Sequence, residues 1–91
     1  MIIRYNIKIT GQVQGVGFRY SARNIARKYN IRGIVRNEPD GSVYIEAEGR
    51  KEDMDHFLYW CHRGPGAGRV DHVVFHEAPL RNFDGFNVTY F

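Results

Sequence analysis

An α+β sandwich is the fold class that the pattern of this 91-residue chain predicts, on three observations. Two stretches carry apolar residues at helical spacing. Each lies between stretches that alternate apolar and polar residues with the period of a strand. The middle pair of strand patterns is joined by a tight turn, which makes them antiparallel neighbours. The order is therefore βαββαβ with a further short strand at the C-terminus, and no fixed-period repeat or linker interrupts it. The expectation is a ferredoxin-like sandwich: an antiparallel sheet of four strands plus a short C-terminal fifth, with two helices packed on one face.

Ile3, Tyr5, Ile7 and Ile9 alternate with Arg4, Asn6, Lys8 and Thr10, as in a strand with one buried face. Phe18, Ala22, Ile25, Ala26 and Tyr29 recur at helical spacing, and Asn30 tolerates the left-handed conformation that closes a helix, so the first helix is expected over about 18 to 29. Gly33 to Asn37 reads as the second strand and Val43 to Glu48 as its hairpin partner. Between them Pro39 presets φ and Gly41 supplies positive φ in the turn Glu38-Pro39-Asp40-Gly41. Met54, Phe57, Leu58 and Cys61 sit at i, i+3, i+4 and i+7 of a second helix over about 52 to 62, which the turn-forming run RGPGAG ends. Val70 to Glu77 reads as a strand of ambiguous facing, and Phe86, Val88 and Tyr90 alternate again.

A chain of this length has room for one core, so residues 1–91 are expected to form a single domain burying roughly 60 to 65% of its unfolded surface. Cys61 is the one cysteine, which rules out an internal disulfide and fits a reducing compartment. The N-terminus MIIRYN lacks the apolar region of a signal peptide, and no apolar run approaches the roughly 18 residues of a membrane helix. A cytoplasmic protein with no membrane association is expected. It is expected to be a monomer, although the terminal run FNVTYF leaves a sheet edge open to pairing. A net charge of +3 and a pI near 9.2 favour anionic partners without choosing among nucleic acids, phosphates and acidic proteins.

The run GQVQGVGFRY, Gly11 to Tyr20, places three glycines and an arginine where the first strand gives way to the first helix. It is not a P-loop: neither Gly11 nor Gly15 has a glycine five residues on, and no Lys-Ser/Thr pair follows. It is not a dinucleotide fingerprint either, because Tyr20 stands where the third glycine belongs. The shared physics remains. Glycines let successive N–H groups point into one concavity, and a helix starting near Phe18 adds free amides and its positive dipole end. Arg19 breaks a local rule, since an arginine in the first turn sits at the wrong end of the dipole by roughly 0.3 to 1 kcal/mol. Arg19, Arg23 and Arg27 also form an i, i+4 row of like charge in a helix without acids. An anion held by the loop amides and the fork of Arg19 would reverse that penalty. The loop alone fits a tight strand-to-helix turn with a solvated arginine equally well.

Four segments together carry more. G-Q-V-Q-G-V-G-F-R at 11–19, G-I-V-R-N-E-P-D-G-S-V at 33–43, E-A-E-G at 46–49 and R-G-P-G-A-G-R-V at 63–70 resemble the acylphosphatase family over nearly the whole chain. The first two are specific in combination. Members are ferredoxin-like domains of about this length that hydrolyse carboxyl-phosphate anhydrides without metal or cofactor. The resemblance therefore implies an enzyme acting on a small-molecule acyl phosphate, with inorganic phosphate as product and competitive inhibitor. By position, it implies that Arg19 binds the substrate phosphate together with the amides of Gln14, Gly15, Val16, Gly17, Phe18 and Arg19, and that Asn37 positions the attacking water. Without the resemblance, Asn37 reads as a hairpin residue just before Pro39. Two departures, Tyr29-Asn30-Ile31 for a common Leu-Gly-Leu and Gly66 for a frequent second proline, leave these positions untouched.

The other chemistry-bearing residues have plainer readings. Cys61 lies on the apolar stripe of the second helix and is read as core. His56, His62, His72 and His76 are assigned to the surface; a strand spaces His72 and His76 about 13 Å apart, too far to share a metal. Phe75, Phe86, Tyr90 and Phe91 are read as sheet packing. The rival from another class is an RNA-binding module, since a ferredoxin-like sheet can read single strands through aromatics on its open face. With Val43, Ile45 and Ala47 toward the helices, that face carries Tyr44, Glu46 and Glu48, so it presents one aromatic and two repelling glutamates, and nucleic acid is disfavoured. A non-catalytic phosphate-binding regulatory domain is the remaining alternative.

Overall fold

The computed structural model describes residues 1–90, so the packing expected of Phe91 lies outside the described residues. Strand alternation produces β1 (Ile2–Gln12), β2 (Arg32–Asn37), β3 (Val43–Arg50), β4 (Arg69–Ala78) and a short β5 (Phe86–Val88), while α1 (Phe18–Lys28) follows β1 and α2 (Lys51–Arg63) follows β3. Ile3, Tyr5, Ile7 and Ile9 of β1 and Val43, Ile45 and Ala47 of β3 form the buried floor. Against it lie Phe18, Ala22 and Ala26 of α1 and Met54, Phe57, Leu58 and Cys61 of α2. Each large side chain so buried contributes about 1.5 to 3 kcal/mol. Asn30, with φ of 56°, closes α1, and the Ile31 N–H donates back to the Ala26 carbonyl at 2.8 Å. Gly41 has φ of 93° in the β2–β3 turn, where the Glu38 N–H donates to the Ser42 carbonyl at 2.9 Å.

The strand order is β4-β1-β3-β2-β5. The sheet departs from the fully antiparallel expectation at one place. β1 pairs antiparallel with β3 and β4, and β2 with β3, but β5 pairs parallel to β2. The pairing directions explain it: β4 runs against β1 and hence against β2, and the chain reverses through 79–85 before entering β5. The facing of β4 is also resolved. Val70 and Val73 pack partly against the core, and most of the strand is an exposed edge.

A second expectation is corrected on the face away from the helices. Glu46 and Glu48 do lie there, across from Asn6 and Arg4, but they are only 7% and 5% exposed and do not line an open surface. The segment 79–85 is laid over them. The Glu48 carboxylate accepts backbone N–H bonds from Arg81, from Asn82 at 3.1 Å and from Phe83 at 2.9 Å. Arg4 donates to the Pro79 carbonyl at 2.7 Å, and Arg81 pairs with Glu46 at 3.0 Å. Burial by itself would raise the Glu48 carboxyl, but the three N–H groups, with the charge of Arg4, outweigh it and hold the group below its ordinary value.

Candidate active site

The loop between β1 and α1 needs two left-handed residues, Gly15 with φ of 74° and Gly17 with φ of 80°. An L side chain at such a position costs about 1 to 2 kcal/mol. Gly17 is the N-cap of α1 and no side chain caps it; the Ser21 N–H makes the first bond, to the Gly17 carbonyl at 3.1 Å. The amides ahead of Ser21 stand outside the helical ladder, at the positive end of the dipole. Phe18 pins that end to the core against Trp60, with ring centres 5.1 Å apart.

A cavity of about 100 Å³ opens there, lined by Val13, Gly15, Gly17, Phe18, Arg19, Tyr20 and Asn37. Asn37 ends β2 and lines the cavity from there; β3 separates β2 from β1, and the loop meets the β2–β3 hairpin through the Gln14 side chain. Its Oδ1 is buried and meets no donor of the protein. The Arg19 guanidinium lies 4.9 Å from the centre of the Tyr90 ring and, among the described residues, makes no ion pair. The like-charge row of α1 is relieved without acids. Arg23 stacks over Tyr20 at 5.2 Å, Arg27 donates to the Phe86 carbonyl at 3.0 Å, and the Tyr20 and Tyr90 hydroxyls join at 3.0 Å.

The structure thus brings Gly15, Gly17, Phe18, Arg19 and Asn37 together. Gln14 and Val16 do not line the cavity. The Gln14 side-chain amide turns to the β2–β3 hairpin, and Val16 packs on the core beside Gly68. Gly68 has φ of 84°, and a Cβ there would strike the Gln12 carbonyl and crowd Val16. Three nearby residues escaped sequence reading. Val13 and Tyr20 lie within the run Gly11 to Tyr20 but carry no signal of their own. Tyr90 was read as sheet packing, but β5 ends at Val88, and its ring leaves the sheet for Arg19. Phe86 and Phe75 do pack as expected, on Phe57 at 6.0 Å and Tyr5 at 5.0 Å. The four histidines are exposed, Cys61 is buried with its thiol pushed up by burial, and no cluster of metal-ligating side chains occurs among the described residues.

Fold and cavity together define a small ferredoxin-like α+β protein whose helix N-terminus, glycine loop and Arg19 line a space of phosphate size. The acylphosphatase family model matches residues 5–88, and the chain belongs to that family. It is 43% identical to the acylphosphatase of Archaeoglobus fulgidus, over 98% of this chain and 100% of that one. The crystal structure of the acylphosphatase from Bacillus subtilis superposes with a TM-score of 0.94 at 34% identity, covering 99% of this chain and 100% of that one. Full-length HypF in its phosphate- and nucleotide-bound form contains a similar region: TM-score 0.88, 34% identity, 98% of this chain and 12% of that one. The protein is an acylphosphatase, an enzyme that hydrolyses acyl phosphates.

Proposed function

We propose that Arg19 and the amides of the 14–19 loop hold the phosphoryl group of the acyl phosphate and that Asn37 positions the water that attacks it. The observation that carries this reading is the buried, partnerless Oδ1 of Asn37 in the same cavity as Arg19. A buried acceptor without a donor costs about 1 to 3 kcal/mol, a cost that a bound water's O–H offsets. Asn37 has one acceptor and two donors, enough to orient a water but far too weakly basic to ionise it. The water oxygen forms the new P–O bond as the acyl P–O bond breaks in line. The bonding pair leaves with the carboxylate, and the water's proton passes to a phosphoryl oxygen. Charge on the equatorial oxygens meets the guanidinium fork and the loop amides, so positioning and electrostatics supply the catalysis. A carboxylate departs without protonation, so the site manages without a strong general acid.

On this reading residues 1–91 work as one monomeric domain in the cytoplasm, and inorganic phosphate competes with substrate. The RNA-binding alternative is weakened, because 79–85 covers one end of the face it needs. The test is hydrolysis of benzoyl phosphate in EDTA with inorganic phosphate titrated in. Turnover unaffected by EDTA and competitively inhibited by phosphate supports the reading. Turnover that EDTA abolishes, or that phosphate leaves unchanged, overturns it.

A further inference from the structure

Gln14 belongs to the glycine loop in sequence, yet its side chain does not line the cavity. Its Nε2 donates to the Glu38 carbonyl at 2.8 Å and to the Ser42 carbonyl at 2.9 Å. Those are the two carbonyls that close the β2–β3 turn: Ser42 O also accepts from the Glu38 N–H at 2.9 Å, and Glu38 O from the Gly41 N–H at 3.1 Å. The turn is stiffened from its other side as well. Asp40 accepts from the Ser42 N–H at 2.9 Å and from the Ser42 hydroxyl at 2.6 Å, and pairs with Lys8 at 2.8 Å.

Asn37 is the residue immediately before Glu38, and Gln14 immediately precedes Gly15 of the cavity. β1 and β2 are not neighbours in the sheet: the ladders join them only through β3, in the row Ile9, Val43 and Asn37, and Gln14 lies five residues beyond that row and past the end of β1, so no ladder bond holds the loop itself to the Asn37 end of β2. One primary amide spans that gap with both of its hydrogens. From this we infer that Gln14 is a positioning residue, whose amide holds the phosphate-binding loop and the Asn37 end of β2 in register so that water and phosphorus stay in line. The inference rests on the proposed role of Asn37. Gln14 touches neither phosphate nor water with its side chain; it acts on the attack geometry, where a displacement of about 1 Å costs on the order of 100-fold in rate.

The test is a double-mutant cycle with Gln14→Met, which keeps the length of the side chain and removes both donors, and Asn37→Ala. kcat for benzoyl phosphate and Ki for inorganic phosphate are read in all four proteins. Gln14→Met is expected to lower kcat by about 10- to 100-fold while Ki stays within about twofold. In the Asn37→Ala background the same change should alter kcat by less than about twofold, because there is no positioned water left to misplace. An equal loss of kcat in both backgrounds, a rise in Ki matching the fall in kcat, or unchanged kcat overturns the role of Gln14. If Asn37→Ala itself retains kcat, the underlying reading has failed, and that result is separate from a failure of Gln14→Met alone. Should Gln14→Met lose its cooperative thermal transition, Gln14→Asn reads the same cycle, since one methylene less prevents the amide from reaching both carbonyls.

Discussion

Asn37→Ala separates a catalytic residue from a hairpin residue, because the two roles predict different changes in both stability and kcat. The wild-type protein buries Oδ1 without a protein donor, and the cost of about 1 to 3 kcal/mol remains only to the extent that a bound water does not offset it. Truncation removes what remains of that cost and also removes packing, at about 0.8 kcal/mol per methylene equivalent. The balance lies between a loss of about 0.8 and a gain of about 2 kcal/mol. For a domain of this size each kcal/mol moves Tm by about 4 to 8 °C, so calorimetry resolves it. Activity should drop, with kcat for benzoyl phosphate falling by about 100-fold or more, roughly 2.7 kcal/mol of barrier. Phosphate Ki should stay nearly constant, since ground-state binding is left to Arg19 and the loop. A Tm lowered by more than about 4 °C together with near wild-type kcat would mean that Asn37 merely closes the hairpin, and the argument from its buried oxygen would be refuted.

Three further outcomes are expected. Arg19→Lys replaces a planar fork by a point charge and loses about one charge-assisted hydrogen bond of roughly 1.5 to 3 kcal/mol, so kcat/KM should fall about 10- to 100-fold; a variant within about threefold of wild type removes the bidentate role. Glu48 has its carboxyl lowered on folding, so the stabilisation it provides is present above the ordinary carboxylate value and is lost as pH falls through the lowered one. Urea unfolding of wild type should therefore weaken below about pH 4, and Glu48→Gln should be less stable at pH 7 with a flatter acid limb; identical pH profiles would discount the anchor. The Cys61 thiol is buried and pushed up by that burial, so a disulfide reagent at pH 8 should label the native protein only at its unfolding rate, and rapid native labelling would contradict the packing of α2.

Periodicity carried the sequence reading a long way, because side-chain alternation and helical spacing are local rules. They placed each element within a residue or two, assigned Tyr44, Glu46 and Glu48 to the face away from the helices, and put Cys61 in the core. Turn chemistry was equally local, so Asn30 and Gly41 took the positive φ their types allow. The glycine loop and the 33–43 motif that contains Asn37 were legible as family signatures before their proximity could be known. What the chain by itself left open depends on where distant segments return. The direction of β5, the burial of Glu46 and Glu48 under 79–85, the stacking of Tyr90 on Arg19 and the bridge from Gln14 to the hairpin join residues many positions apart. No periodic pattern encodes such meetings. They are settled when the sheet closes in its particular order, which brings the end of β2 beside the start of α1 and puts Asn37, with its buried oxygen, in the same cavity as Arg19.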